Sequence, residues 1–202
     1  MGFPTSLPGQ CTTNKTKKNW KNLKKTLIEI KGKNPNKKIL FFDESRFGTK
    51  SKTGLAWYEK GSRTPIKVKL GFKNFYLYSS VNSADGNSFT LLLPSVNTDC
   101  MNVYLKKLSK KIKEDFILIM DGAGWHKSKN LIVPQNIQIV LLPPYCPELN
   151  PVERLWKHIK DNVIKNKVFE TLLALELAVC EFVKGLSVNI VKSVCGYNYN
   201  VL

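Results

Sequence analysis

Ile39-Leu40-Phe41-Phe42-Asp43 is an uninterrupted apolar run that stops on a carboxylate, and the same form returns at Phe116-Ile117-Leu118-Ile119-Met120-Asp121. Short apolar runs without polar alternation suit strands covered on both faces, as in the middle of a helix-flanked sheet. A third run, Ile137 to Leu142, ends in Pro143-Pro144. Between the first two lie Phe75 to Val81 and Ser88 to Leu93, separated by Asn82 to Asn87 with Gly86, a spacing that predicts a hairpin. Val103, Tyr104, Leu105, Leu108 and Ile112 give residues 98 to 113 a helical stripe, and helical patterns return over Asn150 to Asn166 and Phe169 to Lys184. The order strand, hairpin, helix, strand, strand, helix, helix belongs to an α/β domain with a mixed sheet flanked by helices.

The 202 residues, 43% of them hydrophobic, are enough for one sizeable core. Residues 1–37 form a basic helical lead-in, 38–185 the main domain with a basic insertion at about 46–73, and 186–202 a C-terminal tail. The lead-in places Trp20, Leu23, Leu27 and Ile30 on one stripe of a lysine-rich helix, which can dock on the main domain, on a partner helix or on DNA. A net charge of +17 draws polyanions and releases their counterions on binding, so nucleic acid is the expected partner. Five cysteines, odd in number and without a C-x-x-C pair, suggest reduced thiols and neither a disulfide framework nor a zinc ribbon. No apolar run reaches the roughly 20 residues of a bilayer span, and a cytoplasmic protein is expected.

Three carboxylates sit at the ends of predicted elements. Asp43 and Asp121 close two buried strands, where the working clefts of open α/β sheets lie. In Pro143-Pro144-Tyr145-Cys146-Pro147-Glu148-Leu149-Asn150-Pro151-Val152-Glu153-Arg154-Leu155-Trp156, Asn150 suits an N-cap and Pro151 a first helical position, leaving Glu153 third. Capping alone accounts for such a glutamate, and turn formation for either aspartate. Together the three offer hard oxygen ligands to Mg²⁺ or Mn²⁺, and two such ions stabilise the attacking and leaving oxygens of a phosphoryl displacement.

Phe41-Phe42-Asp43-Glu44-Ser45-Arg46-Phe47-Gly48, Met120-Asp121-Gly122-Ala123-Gly124-Trp125-His126-Lys127-Ser128 and the Pro143 to Trp156 stretch, in that order, resemble the mariner-like superfamily of transposases, in particular its prokaryotic insertion-sequence branch. The resemblance covers roughly residues 20 to 185. It implies a ribonuclease H-like fold, an Asp43-Asp121-Glu153 triad holding two metal ions, and cut-and-paste transposition. The implied partners are double-stranded DNA, as transposon ends and a TA target, and a second copy of the chain. Two departures stand out. The 153 − 121 = 32 positions from second aspartate to glutamate are slightly fewer than the family's usual spacing. Only the basic lead-in precedes Asp43, so recognition of the ends is expected from a separate helix-turn-helix half, as in a frameshifted element, unless the chain is a remnant. The alternatives are another ribonuclease H-like metal-dependent endonuclease and an inactive DNA-binding remnant.

His126 can orient Asp121 or approach the phosphate, although a histidine in a glycine-rich turn is more often structural. Arg46, Lys50, Lys52, Arg63, Lys67, Lys69, Lys73 and Lys127 are the candidate phosphate contacts, with a solvated basic loop as the plain alternative. Localisation with the nucleoid follows from DNA as substrate. Glu44, next to Asp43, faces the other side of the strand and is not expected to share its role.

Overall fold

Strand β1 (Lys38–Gly48) alternates its side chains between two apolar layers, and the whole architecture follows from that alternation. The computed structural model describes residues 14–50, 52–53, 71–122, 128–142 and 150–196. Within them β1, β2 (Asn74–Val81), β3 (Ser88–Leu93), β4 (Phe116–Met120) and β5 (Ile137–Leu141) form one mixed sheet in the order β3-β2-β1-β4-β5. The β1–β2 and β2–β3 pairs are antiparallel, and β1–β4 and β4–β5 are parallel. The expected hairpin is present, and Gly86 in its turn holds φ +81°, a backbone conformation that favours glycine.

Ile39, Phe41 and Phe47 of β1, with Ile117 and Ile119 of β4, point to one face. There they meet α1 (Asn14–Lys33) through Leu27, α3 (Val152–Ile159) through Val152, Leu155, Trp156 and Ile159, and α4 (Leu172–Lys184) through Leu175 and Val179. Leu40, Phe42, Phe116, Leu118 and Met120 point the other way, onto Met101, Tyr104, Leu105 and Leu108 of α2 (Thr98–Lys111). Phe42 and Tyr104 pack there with ring centroids 4.9 Å apart. The lead-in helix is thus docked on the main domain: Leu27 is fully buried in the first core, and Ile30 packs against it.

Three boundaries differ from the sequence reading. Asp43 does not end β1, because the strand continues to Gly48 on its pairing with β2. What ends is the pairing with β4, whose last partner on β1 is Phe41. The single helical pattern over Asn150 to Asn166 divides into α3 and a π-helical turn, Lys160–Ile164, followed by Asn166 at φ 59°. The stretch set aside as a C-terminal tail contains α5 (Val188–Cys195), whose Val191 and Cys195 are buried in the first core.

Leu27→Ala should cost about 2–5 kcal/mol in denaturant unfolding, as large-to-small core substitutions do, whereas Ile28→Ala, at a half-exposed position, should change stability by less than about 0.5 kcal/mol. Equal small effects would show that α1 is not part of the core.

Candidate active site

The parallel ladder between β1 and β4 has a constant offset: Lys38 pairs with Phe116 and Phe41 with Ile119, a difference of 78 positions in each case. Extending it two residues puts Asp43 level with Asp121 (43 + 78 = 121), just past the point where the two strands cease to be hydrogen-bonded. Alternation puts Asp43 on the same side as Phe41, which is the side covered by α3. Two aspartates therefore share one register position on neighbouring strands, facing one helix.

That helix is fixed to the strand at two points. Asn150 donates its amide Nδ2–H to the Phe42 carbonyl at 2.7 Å and accepts the Val152 N–H on Oδ1 at 3.2 Å. Pro151 already has helical backbone angles, so Asn150 caps the helix as its sequence position suggests. Trp156, buried one turn further on, donates Nε1–H to Asp43 Oδ2 at 2.8 Å. Glu153 lies between these anchors. Among the described residues its carboxylate does not bond back to the Asn150 N–H, as a capping box would require; its electrostatic neighbours are Lys160 and Asp121.

Electrostatic influence links Asp43 with Glu153, and Glu153 with Asp121. Burial, then Glu153, push the Asp43 carboxyl up to about 8, against the hydrogen bond from Trp156 that favours its charged form. Glu153 is raised by burial and by Asp121 and lowered by Lys160; because it is largely open to water, solvent screens these effects. Glu44 is on the opposite face, as expected, where its charge acts on Tyr78 and Tyr104.

Lys160, which sequence reasoning passed over, completes the cluster. Its Nζ–H donates to the buried Ser45 hydroxyl at 2.6 Å and sits 5.3 Å from the centre of the Phe47 ring. Its spacing of seven from Glu153, two helical turns, was the available signal. Beside it, Asp161 accepts from Lys52 at 2.8 Å and from Lys157 at 2.5 Å, which hold its carboxyl down to about 2.

The structure treats the candidate basic contacts unequally. Lys50 and Lys73 are exposed, and Lys52 is ion-paired with Asp161. Arg46 is exposed, but alternation puts it on the face of β1 opposite Asp43. Arg63, Lys67, Lys69, His126 and Lys127 lie outside the described residues. Among the described residues no three His, Cys, Asp or Glu side chains are drawn together into a set that could grip one ion. The donor chemistry nevertheless fits a hard divalent cation: carboxylate oxygens from neighbouring elements, one of them on a carboxyl whose ionisation is opposed by its surroundings.

Residues 38–176 match the family described as DDE superfamily endonuclease. The chain belongs to this family. It is 24% identical over 169 residues to a 39 kDa protein of insertion element IS630 from Shigella sonnei, covering 81% of this chain and 48% of that protein. It is 25% identical over 169 residues to the Tc3 transposase of Caenorhabditis elegans, covering 77% of this chain and 51% of that one. The chain thus spans about half the length of these two relatives. Its fold is that of the Mos1 mariner transposase catalytic domain, with a TM-score of 0.61 at 14% identity over 96% of this chain and 91% of that one. Mos1 has also been solved as a paired-end complex with a transposon end, and with Mn or Mg. The ribonuclease H-like, mixed-sheet fold and the mariner and insertion-element kinship expected from the motifs both hold.

Free of divalent ions, Asp43 stays protonated up to about pH 8 in the folded protein, whereas an unperturbed aspartate ionises near pH ~4. The folded state then holds one more proton than the unfolded state between these values, so stability falls as pH rises through them. Asp43→Asn should remove that fall. Melting temperatures of the two proteins should converge near pH 4, with the variant the more stable above pH 8; parallel curves would count against the buried acid cluster.

Proposed function

We propose that this DDE endonuclease domain cleaves DNA and transfers the freed strand as the catalytic unit of a cut-and-paste transposase, with Asp43, Asp121 and Glu153 as its catalytic carboxylates. The observation that supports this reading is the β1–β4 register, which on extension sets Asp43 level with Asp121, together with the electrostatic influence of Glu153 on Asp43 and of Asp121 on Glu153. Two divalent ions, Mg²⁺ or Mn²⁺, would supply the charge that draws water toward ionisation and stabilises the leaving oxygen. The oxygen donors of Asp43, Asp121 and Glu153 are the ones that would hold them. Mos1 structures with Mn and with Mg support that choice of ion.

The protein's own groups divide the remaining work. Trp156 fixes one oxygen of Asp43, and a backbone hydrogen bond at Glu44 also holds the carboxyl. Asn150 fixes the height of α3 above β1, and with it the position of Glu153. In the first reaction a water oxygen bonds to phosphorus as the bond to the 3′ oxygen breaks, and that oxygen leaves with a proton as a 3′-hydroxyl. In the second, the freed hydroxyl attacks a phosphodiester of the target strand in the same way. Neither step requires a nucleophilic side chain. Lys50 and Lys73 are phosphate contacts in this reading, which extends by resemblance to a TA target and a homodimer.

Incubated with Mn²⁺ and plasmid DNA, the protein should nick it, and Asp43→Ala, Asp121→Ala and Glu153→Gln should each lower the rate by roughly a thousandfold, the several kcal/mol that metal-held charge provides. DNA affinity should hardly change and should drop steeply with salt. Normal cutting by Glu153→Gln would leave that residue as a helix cap. Joining of a supplied 3′-hydroxyl end to a second duplex distinguishes a transposase from a plain endonuclease.

A further inference from the structure

A half-buried lysine can normally turn its ammonium to water along a flexible stem. Lys160 does the reverse. Its Nζ lies over the Phe47 ring, 5.3 Å from its centre, and is directed onto Ser45, a buried residue two positions along β1 from Asp43 and on the same face. The adjacent acid does not neutralise it, because Asp161 is held by Lys52 and Lys157. A neutral hydroxyl is weak compensation for a charge withdrawn from water. The acids facing Lys160 are Glu153 and Asp43, whose ionised forms oppose the effect of its burial.

Resting on the metal-dependent reading above, we propose that Lys160 is a positioning residue that serves the carboxylate site as a built-in counter-ion and competes with the first divalent cation for it. Before metal arrives, its ammonium keeps Glu153 turned toward Asp43 and offsets the mutual repulsion of the acids. Once metal is held, the same ammonium repels it, which keeps the ion exchangeable and makes tight binding depend on the negative charge that DNA phosphate brings. The π-helical turn that opens at Lys160 sends Lys160 toward the site and Asp161 toward Lys52, so the ammonium is left to the carboxylates.

Mn²⁺ binding by the DNA-free protein tests this, followed by the electron paramagnetic resonance signal of unbound Mn²⁺. Lys160→Met keeps an unbranched apolar chain of similar length beside Phe47 without the charge, and Lys160→Gln keeps a donor for Ser45. Both should bind Mn²⁺ about tenfold more tightly than wild type, a gain of the order expected for removing one nearby positive charge. Lys160→Arg, which retains the charge, should stay close to wild type. Equal or weaker binding by both neutral variants, with unchanged melting temperatures, overturns the proposal. Should wild type bind no Mn²⁺, binding by Lys160→Met still supports it and no binding overturns it. Binding that survives Asp43→Asn combined with Asp121→Asn overturns the metal-site reading as well, which separates the two failures.

Discussion

The geometry depends on the attachment of α3 to β1. Asn150 holds the Phe42 carbonyl and Trp156 holds the Asp43 carboxylate, so the helix grips two consecutive residues of one strand from both sides of Glu153. Both bonds form where little water competes, and each contributes about 0.5–1.5 kcal/mol, as hydrogen bonds between neutral groups do. Without them Glu153 would be an ordinary glutamate in a first helical turn. With them, a carboxylate from a helix is set against two from a sheet. The sheet contributes a second constraint: β4 stops at Met120 while β1 continues on its pairing with β2, so that among the described residues one edge of β1 has no strand partner where the two aspartates lie.

Much of this was legible in the sequence, and the reason is local. Apolar runs of four and five residues followed by aspartate describe buried strands, and Asn82 to Asn87 with Gly86 admits few conformations other than a turn. The motif order identified the family before any distance was known. What escaped was long-range or close to degenerate. That β1 runs past Asp43 depends on β2, some 30 positions away, and the sequence of residues 44–48 does not advertise it. Lys160 looks like one surface lysine among many until its target, Ser45 on another element, is known. The π turn and α5 were missed for related reasons: one extra residue in a helical turn hardly alters an apolar pattern, and α5 is short and owes its place to Val191 and Cys195 entering the core.

Charge works at two scales here. Over the whole chain, +17 creates a field that attracts DNA without regard to sequence. Within the site the balance reverses, since acids are crowded together and Asp43 resists ionisation. A polyanion is thus drawn toward a cluster of acids that ionises fully only when cations offset its charge. In the proposed reading Lys160 is one such cation, and divalent metal would supply the rest.

Anomalous diffraction from crystals equilibrated with Mn²⁺ tests this arrangement most directly. A manganese peak within coordination distance of both Asp43 and Asp121, with Glu153 on the same side, is the expected result. Manganese bound away from this pair, with the Glu153 carboxylate folded back onto the Asn150 N–H, would contradict it.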